Sequence, residues 1–139
     1  MAEKILVVDD DREMVELIEL FLSNAGFVTL SAFSGEEALE KTFKENPDLI
    51  LLDIMMPKID GWEVLRRIKN DPQVQDTPVA FITARTQNID KMIGLSVMKA
   101  AGYITKPFSK QELLTEVRRI IDESKRSAGE RTPPWPPRQ

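Results

Sequence analysis

The feature of this sequence that most constrains its fold is the regular alternation of short apolar runs with longer stretches of helical periodicity. Continuous apolar runs rich in branched residues are typical of strands covered on both faces of a sheet. Five such runs occur, at residues 4–8, 27–33, 48–53, 78–83 and 102–105. Stretches with apolar residues at helical spacing follow them, at residues 12–26, 34–46, 60–71, 88–98 and 109–127. We therefore predict five β-α units.

Capping signals support the helix assignments. Asp11 stands before the first helix, and we interpret it as the N-cap. Gly61 is interpreted as a turn or helix-start glycine rather than as part of a phosphate-binding loop. Two serines stand three residues before a glutamate, which is the spacing of a capping box. These pairs are Ser34 with Glu37 and Ser109 with Glu112.

The predicted units build one α/β domain. Strands joined through helices are parallel, and right-handed crossovers between them give a doubly wound sheet. In such sheets, ligands bind outside the carboxyl ends of the strands. The residues that directly follow the strands are therefore the candidates for a functional site.

The end of the chain differs in composition from the rest. Four of the nine prolines lie in the segment SAGERTPPWPPRQ, residues 127–139. We divide the chain into a domain, residues 1–124, and a Pro-rich, basic tail, residues 125–139, which we expect to be flexible or partly polyproline II. Two interpretations of the tail stay open. One is a ligand for a proline-recognition module anchored by Trp135, and the other is a linker to an output domain.

Composition excludes several classes of chemistry. The chain contains neither cysteine nor histidine, so disulfides and thiolate nucleophiles are excluded, and an imidazole has to come from another molecule. The absence of cysteine favours a reducing, cytoplasmic location. The net charge is −4 and the tail is basic, so the acidic body argues against direct nucleic-acid binding. No apolar run approaches the ~20 residues of a membrane span, so we expect no membrane insertion.

Charged and hydroxyl side chains stand at four of the five strand ends. Asp9 and Asp10 follow the first strand, Asp53 ends the third, Thr83 ends the fourth and Lys106 follows the fifth. Carboxylates gathered at one sheet edge raise each other's pKa or bind a cation, and hard oxygen ligands suit Mg²⁺. A lysine and a hydroxyl beside them suit a phosphoryl group. This set is suited to phosphoryl transfer onto an aspartate.

Four motifs give the chain a family resemblance. The segments ILVVDDD, LILLDIMMPKIDGWEVLRRIK, PVAFITA and GYITKPF occur in this order. Over residues 3–124 the sequence resembles the receiver domain of two-component response regulators. The resemblance is to a single-domain receiver of the chemotaxis type. The resemblance implies the flavodoxin-like fold with strand order 2-1-3-4-5.

The resemblance also implies roles for the acidic residues. Asp53 corresponds to the phosphoacceptor. Asp10, Asp53 and the backbone carbonyl of Met55 correspond to the direct ligands of Mg²⁺, with Mn²⁺ as the alternative ion. Asp9 corresponds to an acid that acts through a metal-bound water. Asp11 lies where the family often has another acid, but the N-cap interpretation is favoured.

The resemblance also implies roles for residues that would bind the phosphoryl group, respond to it or influence its lifetime. Lys106 corresponds to the cation that pairs with Asp53 or its phosphoryl oxygens, and its peptide bond to Pro107 is expected to be cis. Thr83 and Tyr103 correspond to a switch hydroxyl and a switch aromatic; an ordinary strand residue and a packing residue are the alternatives. Met55 and Arg85 are expected to influence the lifetime of the phosphoryl group.

The function implied is a phosphorylation switch. A histidine kinase or a histidine phosphotransfer protein donates the phosphoryl group, and the surface around the fourth and fifth strands and the helices after them changes. That surface then controls a downstream protein, an output domain or a homodimer. Such a chain is not a conventional enzyme, although it takes part in its own phosphorylation and autodephosphorylation.

Two other functions fit the residues less well. A binding module of the same fold that is not phosphorylated would be expected to lack Asp53, Asp10 or Lys106, and all are present. A phosphatase of the haloacid-dehalogenase type needs Asp-x-Asp-x-Thr/Val, and Glu13 stands at the last position of that pattern. A dinucleotide-binding domain is excluded because the glycines do not form G-x-G-x-x-G.

Overall fold

Five parallel strands form one sheet in the computed structural model, which describes residues 2–84 and 100–130 of the chain. The strands are β1 (Lys4–Val8), β2 (Val28–Ala32), β3 (Leu49–Asp53), β4 (Val79–Ala84) and β5 (Gly102–Lys106). Their order across the sheet is β2-β1-β3-β4-β5, and every neighbouring pair is parallel. The predicted fold and strand order are confirmed.

Four described helices cover the sheet. They are α1 (Arg12–Asn24), α2 (Gly35–Glu45), α3 (Gly61–Lys69) and α4 (Lys110–Glu130). The helix predicted at residues 88–98 lies outside the described residues. No helix in the described ranges combines the length and the apolar character needed to cross a membrane.

Three of these helices, α1, α2 and α4, begin at the side-chain caps that the sequence predicted. The Asp11 carboxylate accepts hydrogen bonds from the backbone N–H groups of Glu13 and Met14, so its N-cap role is confirmed. Ser109 and Glu112 form a reciprocal capping box, each side chain accepting from the other's backbone N–H. The Ser34 hydroxyl likewise accepts a hydrogen bond from the N–H of residue 37. The carboxylate of residue 37, however, accepts from the N–H of residue 33 and not, as a capping box would require, from that of Ser34.

Strand side chains alternate between two hydrophobic layers. One layer joins β-strand residues such as Val7 and Leu51 to buried residues of α1 and α4, and we call this side of the sheet the α1/α4 face. The other joins residues such as Leu52 and Phe81 to buried residues of α2 and α3, and we call it the α2/α3 face. Both faces of the sheet are therefore covered, which explains why the strands are continuous apolar runs.

Helix α4 continues beyond the predicted end of the domain. It was predicted to span residues 109–127, and it runs to Glu130, so the division at residue 124 falls within a helix and residues 125–130 are helical. No proline stands between residues 108 and 132, so the hydrogen-bond ladder of the helix can continue through residues 125–130. Lys125 also forms an ion pair with Glu3, which fixes α4 near the start of β1.

Candidate functional site

Three aspartates gather at the carboxyl edge of the sheet. Asp9 directly follows β1, and Asp53 is the last residue of the neighbouring strand β3. Each of Asp9, Asp10 and Asp53 offers a carboxylate oxygen within 4.8 Å of the others. Asp9 and Asp53 are buried, at 2% and 7% exposure, whereas Asp10 is exposed to solvent. Parallel pairing of β1 with β3 thus joins two acids that are far apart in sequence.

Strand alternation places Lys106 on the same face as the buried acids. Asp9, Asp53 and Lys106 each stand two positions after a strand residue of the α1/α4 layer. Those strand residues are Val7, Leu51 and Ile104. The period of two therefore directs all three ionisable side chains to one side of the sheet edge.

Lys106 lies between the two buried carboxylates. Its Nζ donates a hydrogen bond to Asp9 Oδ2 at 3.0 Å and lies 3.9 Å from Asp53 Oδ1. The other Asp9 oxygen, Oδ1, accepts from the backbone N–H of Asp11 at 2.9 Å. In this structure Lys106 is thus paired mainly with Asp9, and both oxygens of that carboxylate are engaged. Its peptide bond to Pro107 is cis, the isomer that the resemblance implied.

The environment of Asp53 disfavours its ionised form. Burial, together with the nearby charge of Asp9, raises the pKa of Asp53 to about 7, against the attraction of Lys106 and a hydrogen bond from the Met55 backbone N–H. A cation bound between these carboxylates would compensate the same charge, so its binding would release protons from the site near neutral pH.

The donor set fits a small hard cation. All the candidate ligand atoms are carboxylate oxygens, and the exposed Asp10 leaves one side open to water. Mg²⁺ prefers oxygen ligands, few of them from the protein and several from water. Met55, two residues after Asp53, is 65% exposed, and the role of its carbonyl as a ligand stays a prediction.

The loop from Asp53 to the start of α3 contains a contact that sequence reasoning missed. The Gly61 N–H donates to the Ile54 carbonyl at 2.9 Å, and a Cβ at Gly61 would lie 2.5 Å from the carbonyl oxygen of Asp53. Glycine is therefore required because α3 begins against the backbone of Asp53. The sequence indicated only a helix start here, since no local signal shows which backbone the N-terminus of α3 packs against.

The predicted switch residues lie near the other face of the sheet. Thr83 is buried at the end of β4, two positions after Phe81, and alternation places it on the α2/α3 face. Tyr103 on β5 is half-buried, packs against that same layer and is paired in register with Phe81. Their switch roles stay predictions, and Arg85 lies outside the described residues.

Comparison with known protein families gives a match over most of the chain. The model of the response regulator receiver domain matches residues 5–118. A curated relative is the alkaline phosphatase synthesis transcriptional regulatory protein PhoP of Bacillus subtilis (strain 168), which is 41% identical over 128 residues. The match covers 92% of this chain and 52% of PhoP, so the chain spans about half the length of that relative.

Solved structures with the same fold include single receivers and a longer protein. The receiver domain of a Francisella response regulator has a TM-score of 0.79 at 34% identity, with 88% of this chain and 98% of that chain covered. The chemotaxis protein CheY4 of Vibrio cholerae has a TM-score of 0.81 at 29% identity, with 86% of this chain and 99% of CheY4 covered. NtrX from Brucella abortus has a TM-score of 0.85 at 32% identity, and the match covers 93% of this chain but only 29% of NtrX.

Proposed function

Because the chain belongs to the response regulator receiver family, we propose that it is a phosphorylation switch whose phosphoacceptor is Asp53. The observation that carries the proposal is the placement of Asp53 at the carboxyl edge of the sheet. There a carboxylate oxygen of Asp53 lies within 4.8 Å of carboxylate oxygens of Asp9 and Asp10, and Asp53 Oδ1 lies 3.9 Å from Lys106 Nζ. A carboxylate nucleophile beside a cation and two further acids is the arrangement that phosphoryl transfer to aspartate requires.

The acidic cluster would hold Mg²⁺, with Mn²⁺ as the alternative ion. Asp10, Asp53 and the Met55 carbonyl would be the direct ligands, and Asp9 would act through a water. Once bound, the ion would neutralise charge on the carboxylates and on the incoming phosphoryl group. Asp9 suits the indirect role because both of its oxygens already accept hydrogen bonds, from Lys106 and from the Asp11 N–H.

Asp53 performs the chemical step. One of its carboxylate oxygens attacks the phosphorus of a phosphohistidine in line, and the O–P bond forms as the P–N bond breaks. The electron pair of the P–N bond returns to the donor ring, which carries a proton on its other nitrogen and so leaves as neutral imidazole. The donor is a histidine kinase or a histidine phosphotransfer protein, and the lack of histidine in this chain fits a donor histidine outside it. Hydrolysis of the acyl phosphate later restores the free carboxylate.

Lys106 stabilises the charge that the transfer brings into the site. Its Nζ reaches Asp9 at 3.0 Å and Asp53 at 3.9 Å, so a small movement transfers its hydrogen bond from Asp9 to a phosphoryl oxygen on Asp53. The Thr83 hydroxyl supplies a second donor when its side chain turns toward the phosphoryl group. Met55, which is exposed, and Arg85 influence how fast water reaches the acceptor.

The readout is a change in the surface around β4, β5, α4 and the helix predicted at residues 88–98, in which Thr83 and Tyr103 move together. The altered surface controls a downstream protein, an output domain or a second copy of the chain. An output domain is supported by PhoP, which is about twice as long as this chain and is described as a transcriptional regulatory protein.

Intact mass measurement tests this function. The protein is incubated with Mg²⁺ and acetyl phosphate, and the parent is expected to gain one phosphoryl group. Asp53→Asn should gain none, and EDTA should prevent the gain in the parent. Asp76→Asn, which changes an exposed aspartate in the loop before β4, is the matched control and should behave as the parent. A parent that gains no phosphoryl group with donor and Mg²⁺ in excess contradicts the proposal.

A further inference from the structure

Helix α3 begins in direct contact with the backbone of the phosphoacceptor. The close approach of Gly61 to Asp53 and the hydrogen bond from its N–H to Ile54 fix the first turn of α3 to the end of β3. We call residues 53–61 the acceptor loop. Because this contact leaves no room even for a methyl group, a displacement of the loop also displaces the start of α3.

Trp62 carries this contact into the core. Its indole meets the ring of Phe81 in an edge arrangement, with ring centroids 4.6 Å apart and planes at 61°. Trp62 is half-buried and packs on the α2/α3 layer, whereas Phe81 is fully buried in β4. The contact therefore joins the residue after the acceptor loop to the middle of a central strand.

Phe81 in turn lies beside both predicted switch residues. Thr83 stands two positions later on β4, on the same face of the sheet by strand alternation. Tyr103 is its register partner on β5 and packs against the same layer. Trp62, Phe81 and the two switch residues thus share one side of the sheet, whereas Asp53 and Lys106 are directed to the other.

We propose that Trp62 is a positioning residue that couples the acceptor loop to the switch residues Thr83 and Tyr103 through its ring contact with Phe81. The proposal rests on the proposed function, since it adds a packing route from phosphorylated Asp53 to the opposite face of the sheet, beside the proposed hydrogen bond of the Thr83 hydroxyl to the phosphoryl group. Packed rings transmit a displacement because a core contains little free space, so a movement at residues 53–61 repacks Phe81 and its neighbours.

The composition of the chain offers a selective probe. Tyr103 is the only tyrosine, so 3-fluorotyrosine labels this position alone and gives one ¹⁹F NMR signal. The signal of the parent is expected to shift when acetyl phosphate and Mg²⁺ are added. In Trp62→Leu, phosphoryl incorporation by intact mass should match the parent, but the ¹⁹F shift should fall to less than half. Trp62→Phe, which keeps an aromatic ring, should restore most of the shift.

The control variant is Phe43→Leu, which changes a half-buried aromatic of α2 on the same layer and should keep the full shift. The proposal is overturned if Trp62→Leu keeps the parent's shift, or if Phe43→Leu loses as much of it, since that result would indicate general loosening of the core. A parent that takes up no phosphoryl group contradicts the proposed function instead, so the two failures are distinguishable.

A second measurement leaves the core intact. Trp62 and Trp135 are the two tryptophans of the chain, so Trp135→Phe makes Trp62 the single indole fluorophore. Its emission should change on phosphorylation and stay constant in the same background with Asp53→Asn. Unchanged emission in a protein that has gained the phosphoryl group would overturn the coupling role.

Discussion

At the scale of single residues, the site combines charged groups, each of which would be unfavourable to bury alone and which partly compensate one another. Asp53 is buried beside Asp9, and Lys106 compensates their charge only in part, because its nearer contact is with Asp9. The pKa of Asp53 is consequently raised to about 7. Ionisation of Asp53 thus costs the folded protein stability, which fits its proposed roles as a cation ligand and phosphoacceptor.

The raised pKa predicts a pH-dependent gain in stability for Asp53→Asn without divalent ions. The ordinary pKa is 3.8 and the folded value is about 7, so the folded state holds a proton that the unfolded chain has lost between these values. The contribution of Asp53 to stability therefore decreases as pH rises from about 4 to about 7. We expect the variant to be more stable than the parent by about 2–4 kcal/mol at pH 8 in EDTA, and to approach the parent at pH 4.

Thermal unfolding followed by circular dichroism, repeated from pH 4 to pH 8, measures this difference. A stability difference that does not change with pH would contradict the account, because it would show that ionisation of Asp53 costs the folded protein nothing. Adding Mg²⁺ should stabilise the parent more than the variant, since the variant lacks one of the proposed ligands.

Gly61 gives a second prediction at this scale. Alanine normally stabilises a helix relative to glycine by ~1 kcal/mol, but a Cβ here would collide with the Asp53 carbonyl. We expect Gly61→Ala to destabilise the protein by about 1–3 kcal/mol and to slow phosphorylation of Asp53. Urea unfolding and the rate of phosphoryl uptake measure the two effects.

Gly26→Ala is the matched control for Gly61→Ala. Gly26 has a φ of 95°, which strains an alanine backbone, yet there is open space around its Cβ position, and it lies at the opposite edge of the sheet. This variant should lose stability by about 1–2 kcal/mol without a change in phosphorylation rate. If both variants slow phosphorylation equally, the Gly61 effect is general destabilisation.

At the scale of elements, the run Asp9-Asp10-Asp11 is shared between a strand end and a helix start. Asp9 and Asp10 contribute to the acidic cluster, and Asp11 caps α1 through hydrogen bonds to two backbone N–H groups. The helix begins where it does because these N–H groups find an acceptor in the preceding loop. Neighbouring carboxylates in one short run therefore serve different purposes.

This division predicts opposite effects for two adjacent substitutions. Asp11→Ala should lower the free energy of unfolding by ~1 kcal/mol and leave Mg²⁺ affinity nearly unchanged, because it removes a cap. Asp10→Asn should weaken Mg²⁺ binding by at least ~10-fold without lowering stability, because it removes a charged ligand. Urea unfolding and calorimetric titration with Mg²⁺ separate the two, and a variant that lost both properties together would refute the division.

Most elements could be predicted from sequence because their signals are local. The apolar runs, the capping box of Ser109 and Glu112, and the Asp11 cap are read within a few residues of the chain, and the structure confirms them. Element ends were less exact: β2 spans Val28–Ala32 rather than 27–33, and α3 stops at Lys69. These ends depend on partners elsewhere in the fold, as does the extension of α4, which is fixed to Glu3 by an ion pair.

At the scale of the whole molecule, the parallel sheet brings together residues from three distant parts of the chain. The strand order places β1 beside β3 and β4 beside β5, so Asp9, Asp53 and Lys106 meet at one edge. That meeting could be predicted from strand ends alone. The preference of Lys106 for Asp9, the approach of Gly61 to Asp53 and the contact of Trp62 with Phe81 could not, because each depends on tertiary packing between separate elements.

The central claim is that Asp53 itself receives the phosphoryl group, and reductive mapping tests it most directly. Borohydride reduces an aspartyl phosphate to homoserine, so protein treated with acetyl phosphate and Mg²⁺, then reduced and digested, reports the acceptor by mass spectrometry. We predict homoserine at position 53 and aspartate at positions 9, 10 and 11. Homoserine at another aspartate, or its absence from a protein that has gained a phosphoryl group, would contradict the account.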